Sequence, residues 1–319
     1  MTPEFFGLLH LDENERSAVN VPVGSFREQI QIYVDNAVVL SETLQSEGIK
    51  FTLLTNRRDQ VTELLPSGSR SLQVVEIPFM TEVPRGIKFY SAHFKIDAFK
   101  YISTLPQGYF ILSDLDAICL KQLPIACQNI IDAGIPLYYD ISEQVIPAYG
   151  HDTIIEDLKM VGGLEGEGRW IGGEFIGGSP SFFKQLAAKI DEVYGNYVAN
   201  LGKMHHVGDE ALTSAAAELL RRDGLYIADA GSIGVVARYW NTNVRHPQKP
   251  LTSLLQQVFL LHLPADKKFL ADLARQGTLT ASECKQRYLR YWKSPAQISN
   301  RMARRLAWSL KGLMRSATH

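Results

Sequence analysis

Two carboxylates one residue apart, Asp114 and Asp116, are the residues of this sequence best placed to do chemistry. They sit in Tyr109-Phe-Ile-Leu-Ser-Asp-Leu-Asp-Ala-Ile-Cys-Leu120. In an extended chain, residues two apart point the same way. Both acids can therefore aim at one divalent cation, and hard oxygen ligands suit Mg²⁺ or Mn²⁺. The apolar run before them reads as a buried strand. Open α/β sheets take their ligands just beyond the carboxyl ends of such strands. Two acids there are costly to bury unless positive charge meets them. A solvated turn cap is the alternative, because a D-x-D pair is a short motif.

Other residues of suitable type lie elsewhere. Lys95 and Asp97 belong to a helical stretch, 91–103, leading into the acidic strand; there they could meet a phosphate or sugar, or only face solvent. In Trp170-Ile-Gly-Gly-Glu-Phe-Ile-Gly-Gly-Ser-Pro180 the glycines, Gly173 among them, let a ligand or another strand come close to the backbone beside Glu174. Asp209 and Glu210 open a helix, a position that acids favour through the helix dipole alone. His205 and His206 precede them and read as exposed loop residues. His262 stands near the end of an apolar strand, 257–264, followed by Lys267 and Lys268. A lone histidine there usually belongs to the core, but an imidazole with an ammonium six residues on would suit a diphosphate.

These residues need a framework. Residues 5–11, 49–55, 72–79, 109–112, 135–141, 226–230 and 257–264 read as strands. Residues 26–45, 57–65, 91–103, 180–198 and the stretch from 209 read as helices. Such alternation predicts an α/β fold with a mostly parallel central sheet. Residues 12–23 and 151–168 read as loops, the second a mobile one. The chain of 319 residues is long enough for a large core, and its 45% hydrophobic and 21% charged content is ordinary for a globular protein. Cys119, Cys127 and Cys284 form no C-x-x-C pair and are odd in number, which points to a reducing compartment. No signal peptide and no membrane-length apolar run is apparent.

The combination resembles the GT-A-fold glycosyltransferases. Ser-Asp-Leu-Asp at 113–116, Gly-Gly-Glu-Phe-Ile-Gly-Gly at 172–178, Asp209-Glu210, and His262 with Lys268 carry the resemblance, which spans about residues 5–275. The His262–Lys268 spacing is similar to that of the retaining family that includes glycogenin and the lipopolysaccharide galactosyltransferases. Where that family has a Gly and a Pro-Trp, this sequence reads Leu-Pro-Ala-Asp-Lys-Lys-Phe. The resemblance implies a nucleoside-diphosphate sugar, a UDP-sugar by preference, as donor. It implies a metal on Asp114, Asp116 and His262, with Asp114 also near the ribose, and Lys268 on the phosphates. Lys95 and Gly173 would line the donor site, with Glu174 available for sugar hydroxyls. Asp209 or Glu210 would lie near the anomeric carbon, as general base in an inverting enzyme or as an orienting acid in a retaining one, the second being favoured. The competing readings are a phosphatase with an aspartate nucleophile, for which Ile118 stands where Thr or Val is usual, and a sugar-nucleotide-binding module without catalysis.

Charge is unevenly spread. Nine Lys and Arg and no acid follow Cys284, so that segment carries +9 of a total of −1 and leaves −10 for residues 1–283. The expected division is a catalytic unit, 1–283, and a basic helical tail, 284–319. In the tail Ile298, Met302, Leu306, Leu310 and Leu313 fall on one helical face, with Arg301, Arg304, Arg305, Lys311 and Arg315 on the other. Basic amphipathic helices of this kind lie on anionic membranes; packing on the chain's own domain is the alternative. A peripheral enzyme on the inner face of the cytoplasmic membrane would suit a glycan or lipid-linked glycan acceptor, as in lipopolysaccharide, O-antigen or capsule synthesis. Nothing in the overall charge suggests a nucleic-acid partner.

Overall fold

A computed structural model describes residues 1–15, 24–66, 72–163, 166–277 and 279–316, without the side chains of residues 305 and 307–316. Most of the expected 12–23 loop, and the outer part of the tail's apolar and basic faces, therefore lie outside the described residues. Ten strands are present among them: β1 Glu4–Leu9, β2 Lys50–Thr55, β3 Gln73–Glu76, β4 Phe110–Ser113, β5 Ala117–Cys119, β6 Leu137–Asp140, β7 Ile171–Gly178, β8 Ala228–Asp229, β9 Val236–Arg238 and β10 Leu260–His262. The central sheet has the order β3-β2-β1-β4-β7-β6-β8. Its pairs are parallel except those of β7, which runs against both β4 and β6. The mixed, mostly parallel α/β architecture expected from the sequence is present.

The acidic strand divides in two. β4 stays in the central sheet, while β5 pairs with β10, which also pairs with β9, in a small second sheet. Asp114-Leu115-Asp116 is the link between the sheets. Leu115 is buried and turns into the core over Gly7, where a Cβ would stand 2.4 Å from the leucine side chain. The chain bends at Leu115 and Asp116, and this turn between the sheets, with Leu115 buried, leaves both acids lining the same cleft.

Helix Phe26–Gln45 opens on Ser25, whose hydroxyl accepts from the Glu28 amide, and buries Ile30, Val34, Ala37, Val38 and Leu44 at helical spacing. It packs on β5 and on helix Lys267–Ala274. Helices Pro180–Ala199 and Asp209–Arg222 pack on one another near β7.

One expectation is corrected. Residues 151–168 are not simply a loop: helix His151–Gly162 buries Ile154, Asp157, Leu158 and Val161 against helix Asp209–Arg222. Its apolar residues recur every three or four positions, a spacing obscured by interleaved charges. The division at 283/284 falls within helix Ala281–Trp292, which buries Ala281, Cys284 and Tyr288. The last helix, Pro295–Ser316, starts close to the domain. The Arg301 guanidinium lies 4.3 Å over the Trp292 ring, and Arg304 donates to the Asn241 carbonyl. Ile298, Met302 and Leu306 are exposed. Among the described residues, no helix is long and apolar enough to cross a membrane.

Candidate active site

Strand register assembles the site. β10 pairs antiparallel to β5 with His262 opposite Ala117, so the imidazole arrives beside Asp116, and the Leu263 amide donates to the Asp116 carbonyl. β7 runs antiparallel to β4, and the Asp114 amide donates to the Glu174 carbonyl. β9 runs parallel to β10 with Arg238 opposite His262. Residues far apart in the chain thus come together through backbone pairing.

Their side chains form a continuous run of opposite charges. Lys95 Nζ lies 2.8 Å from Asp114 Oδ1 and 2.8 Å from Asp209 Oδ2, and donates to the Gly173 carbonyl. His262 Nε2 lies 3.2 Å from Asp116 Oδ1 and 3.7 Å from Asp114 Oδ2. The second oxygen of Asp116 accepts from Lys267. On its other edge, His262 Nδ1 lies 3.3 Å from Glu174 Oε1. Arg238 holds Glu174 through two nitrogens, at 2.7 and 2.6 Å, and Glu210 at 2.8 Å. Glu210 also accepts from the Trp170 indole N–H, at 3.0 Å.

Burial sets the electrostatics. It works against charge at every one of these groups, and their neighbours answer it unequally. Burial would lower the Lys95 pKa, but Asp114 and Asp209 raise it overall. Asp209 itself is pushed up, because burial and the nearby Glu210 and Asp114 charges outweigh the one ammonium it shares. Asp116 is held well below the usual carboxylate range by Lys267 and His262 in spite of burial. Burial would depress His262, yet Asp116 and Glu174 lift it to about 9. Arg238 overcomes burial to hold both Glu174 and Glu210 low. Asp114, Asp116, Glu174, Asp209 and Glu210 thus face the cations Lys95, Lys267 and Arg238. Part of that deficit of two charges is met by the proton that Asp116 and Glu174 hold on His262; a divalent ion ligated by Nε2 would displace that proton and balance both charges.

The donor set fits such an ion. Asp114, Asp116 and His262 each offer an atom, and the three atoms lie within 4.8 Å of one another. Glu174 beside Nδ1 places a proton on that nitrogen and leaves Nε2 free to ligate, the usual supporting arrangement of a metal-bound histidine.

This set lies in a cleft of about 620 Å³. His10, Asp12 and Tyr33 line one part of it; Tyr149, His205 and His206 line another. Several sequence-based candidates line it too: Lys95, Gly173, Asp209, Glu210, Asp114, Asp116 and His262. At Gly173 a Cβ would lie 2.5 Å from Asp209 Oδ2 and 2.8 Å from Lys95 Nζ, so a larger residue would have to displace this ion pair.

Several placements differ from expectation. Lys268 is exposed and its neighbour Lys267 faces the acids. Lys267 shares one helical face with buried Leu270, Ala271 and Ala274, so helical spacing could have identified it. Glu174 is wholly buried against Arg238 and His262, so it supports the ligand set instead of facing the cleft. Asp97 accepts from the Met80 and Thr81 amides and anchors that loop. Arg238 was not singled out from sequence, and no local signal marks it, because strand pairing alone brings it beside His262. The two histidines read as exposed line the cleft, with His206 stacked 5.6 Å from Phe89. Phe89 holds a left-handed backbone, φ 56°, unusual for a bulky residue.

No protein-family model matches the sequence, and no curated protein sequence matches it. Solved structures do share the fold. The galactosyltransferase LgtC, in complex with donor and acceptor sugar analogues, superposes with a TM-score of 0.51 over 89% of this chain and 99% of that one, at 11% identity. An active-site mutant of LgtC gives 0.47 over 85% and 95%, at 12% identity. The first likeness shows the GT-A fold expected from the sequence, here with a largely buried acidic pair at the end of β4.

Proposed function

We propose that this chain is a metal-dependent glycosyltransferase that moves a sugar from a nucleoside-diphosphate sugar, a UDP-sugar by preference, to a glycan acceptor with retention of configuration. The convergence of Asp114, Asp116 and His262 at the floor of the cleft carries the reading. The fold shared with LgtC supports it. Mn²⁺ or Mg²⁺ held by these three residues would neutralise a leaving diphosphate as a Lewis acid. Lys267, already turned toward Asp116, would contact the phosphates in the role expected of Lys268. Lys95 clamps Asp114 to Asp209 and keeps the metal-binding strand end in register with helix Asp209–Arg222. Glu210, held as a carboxylate by Arg238 and Trp170, would orient a hydroxyl or stabilise positive charge developing at the anomeric carbon. Asp209, tied to Lys95 and raised in pKa, is the weaker candidate for that role.

The finer assignments are proposals of the same kind. Residues 1–283 would form the catalytic unit and 284–319 a basic segment, divided by charge rather than by packing. The outward Ile298, Met302 and Leu306 would rest on an anionic membrane surface, aided by basic residues farther along the tail. That placement, on the inner face of the cytoplasmic membrane, would bring the cleft to a lipid-linked glycan in lipopolysaccharide or O-antigen assembly.

The test is a thermal-shift screen of nucleotide sugars with and without Mn²⁺. A UDP-sugar should raise the Tm only when Mn²⁺ is present. Equal shifts without metal, or none with any nucleotide sugar, would overturn the reading.

A further inference from the structure

His205 lines the same cleft, and the glycosyl-transfer reading leaves it unexplained. Its partner Asp157 is 2% exposed and lies on helix His151–Gly162, away from the charged run around the acidic pair. The Asp157 carboxylate accepts from the His205 backbone amide, at 3.1 and 3.3 Å, and meets ring atom Nδ1 in a very short contact. The imidazole is therefore locked in position, with the Nδ1 proton facing the carboxylate. In the neutral ring Nε2 is then the acceptor nitrogen. It is screened from water and has no hydrogen-bond partner among the described residues. An unmet buried acceptor costs about 1–3 kcal/mol, and such exceptions in a folded protein call for a reason.

The surroundings suggest what would satisfy it. The His205 ring lies 4.5 Å from Tyr149 and 5.3 Å from Trp170. Trp170 is fully buried and forms the backing, whereas Tyr149 is half exposed and stands at the solvent side of the ring pair. Val145 and Val207 also line the cleft. The neighbouring cation, Arg238, is already committed to Glu174 and Glu210. The wall around His205 is thus aromatic and apolar; of the cations that line the cleft, Lys95, Lys267 and Arg238 already pair with acids, while Lys88 lies next to Phe89.

We propose that the Asp157–His205 pair and Tyr149 form a subsite for a neutral pyranoside, the acceptor sugar, with one ring hydroxyl donating to His205 Nε2 and the apolar sugar face against Tyr149. This rests on the glycosyl-transfer reading of the cleft and specifies its acceptor chemically. Asp157 is a positioning residue that acts through His205.

Saturation-transfer NMR on the full chain, with a panel of methyl glucopyranosides, galactopyranosides and mannopyranosides, tests it. At least one glycoside should take up saturation from the wild-type protein. His205→Phe, which keeps the ring stack but removes the acceptor, should raise its Kd at least tenfold. Asp157→Asn should weaken binding, and His205→Gln should restore part of it relative to Phe. Mn²⁺ affinity, read by electron paramagnetic resonance, should be unchanged in His205→Phe and His205→Gln. If wild type binds no glycoside, or His205→Phe binds as well as wild type, the subsite is refuted. Should Asp157→Asn fail to fold, the two His205 variants still decide the matter. Loss of Mn²⁺ binding in the wild type would instead strike the metal reading, which separates the two failures.

Discussion

At the scale of single residues, the acidic pair, two lysines and His10 make the sharpest claims. Asp116→Ala removes a proposed metal ligand and leaves Lys267 buried without its main partner. Mn²⁺ binding and metal-dependent turnover should vanish, with a stability loss of about 3–5 kcal/mol, typical of a broken buried pair. Isothermal titration with Mn²⁺ and urea unfolding would measure both; retained Mn²⁺ affinity would remove this carboxylate from the site. Lys267 and Lys268 form an internal control. Lys267→Ala should raise the donor KM by roughly tenfold or more, corresponding to about 1.5–3 kcal/mol for a charge-assisted contact, while Lys268→Ala should leave KM near wild type. The reverse ranking in steady-state kinetics would restore the assignment made from family spacing. His10 stacks 3.8 Å from Phe94, and burial lowers its pKa to about 4 against weaker opposing pulls from Asp12 and Asp97. An unfolded histidine titrates near 6.5. Between about pH 6.5 and 4 the unfolded chain therefore binds the extra proton, so stability should fall as pH drops through that window. His10→Phe should flatten part of that slope in urea melts at pH 7 and 5; an unchanged slope would mean that this imidazole is not protected from protons.

At the scale of elements, helix Lys267–Ala274 joins core and site. Its inner face buries Leu270 against helix Phe26–Gln45 while its first residue reaches Asp116. Leu270→Ala should cost about 2–5 kcal/mol through the cavity it leaves. Because the helix also carries Lys267, the same change should raise the donor KM even at temperatures where the protein remains folded. Circular dichroism melts combined with kinetics separate the two effects. A large stability loss with unchanged KM would show that the helix does not transmit its packing to the site. The link between β4 and β5 behaves similarly, since Leu115 over Gly7 determines which way the flanking acids face.

At the scale of the whole molecule, the question is whether the tail serves the core or a surface. Arg301 and Arg304 turn toward the domain, while Ile298, Met302 and Leu306 turn out. A chain ending after Ser294 should lose binding to vesicles rich in anionic lipid but still use a soluble acceptor. Binding of the full chain should weaken between 0.1 and 1 M salt as the Debye length shortens from about 10 to about 3 Å, with each engaged base worth about 1 kcal/mol. Vesicle co-sedimentation across that salt range measures it. No binding at low salt, together with a lower Tm on truncation, would assign the helix to the domain instead.

What the sequence determined by itself was whatever local periodicity encodes. The 26–45 helix and the parallel alternation were legible because side-chain direction repeats every 3.6 or 2 residues, and the two carboxylates because they close an apolar strand. His262 was legible as a candidate ligand because an imidazole after an apolar strand is chemically distinctive. Tertiary structure decided the rest. Long-range strand pairing puts His262 opposite Ala117, and parallel pairing puts Arg238 beside it. No window of sequence contains either pairing. The same holds for Glu174: its carboxylate reads locally as a free acid on a glycine-rich strand, yet a guanidinium and an imidazole from the second sheet consume both its oxygens. Asp157 and His205 lie 48 residues apart and each reads alone as an ordinary surface residue. They become a pair only because helix His151–Gly162 packs against helix Asp209–Arg222, and that packing follows from buried apolar area, which sequence spacing records only for each helix separately.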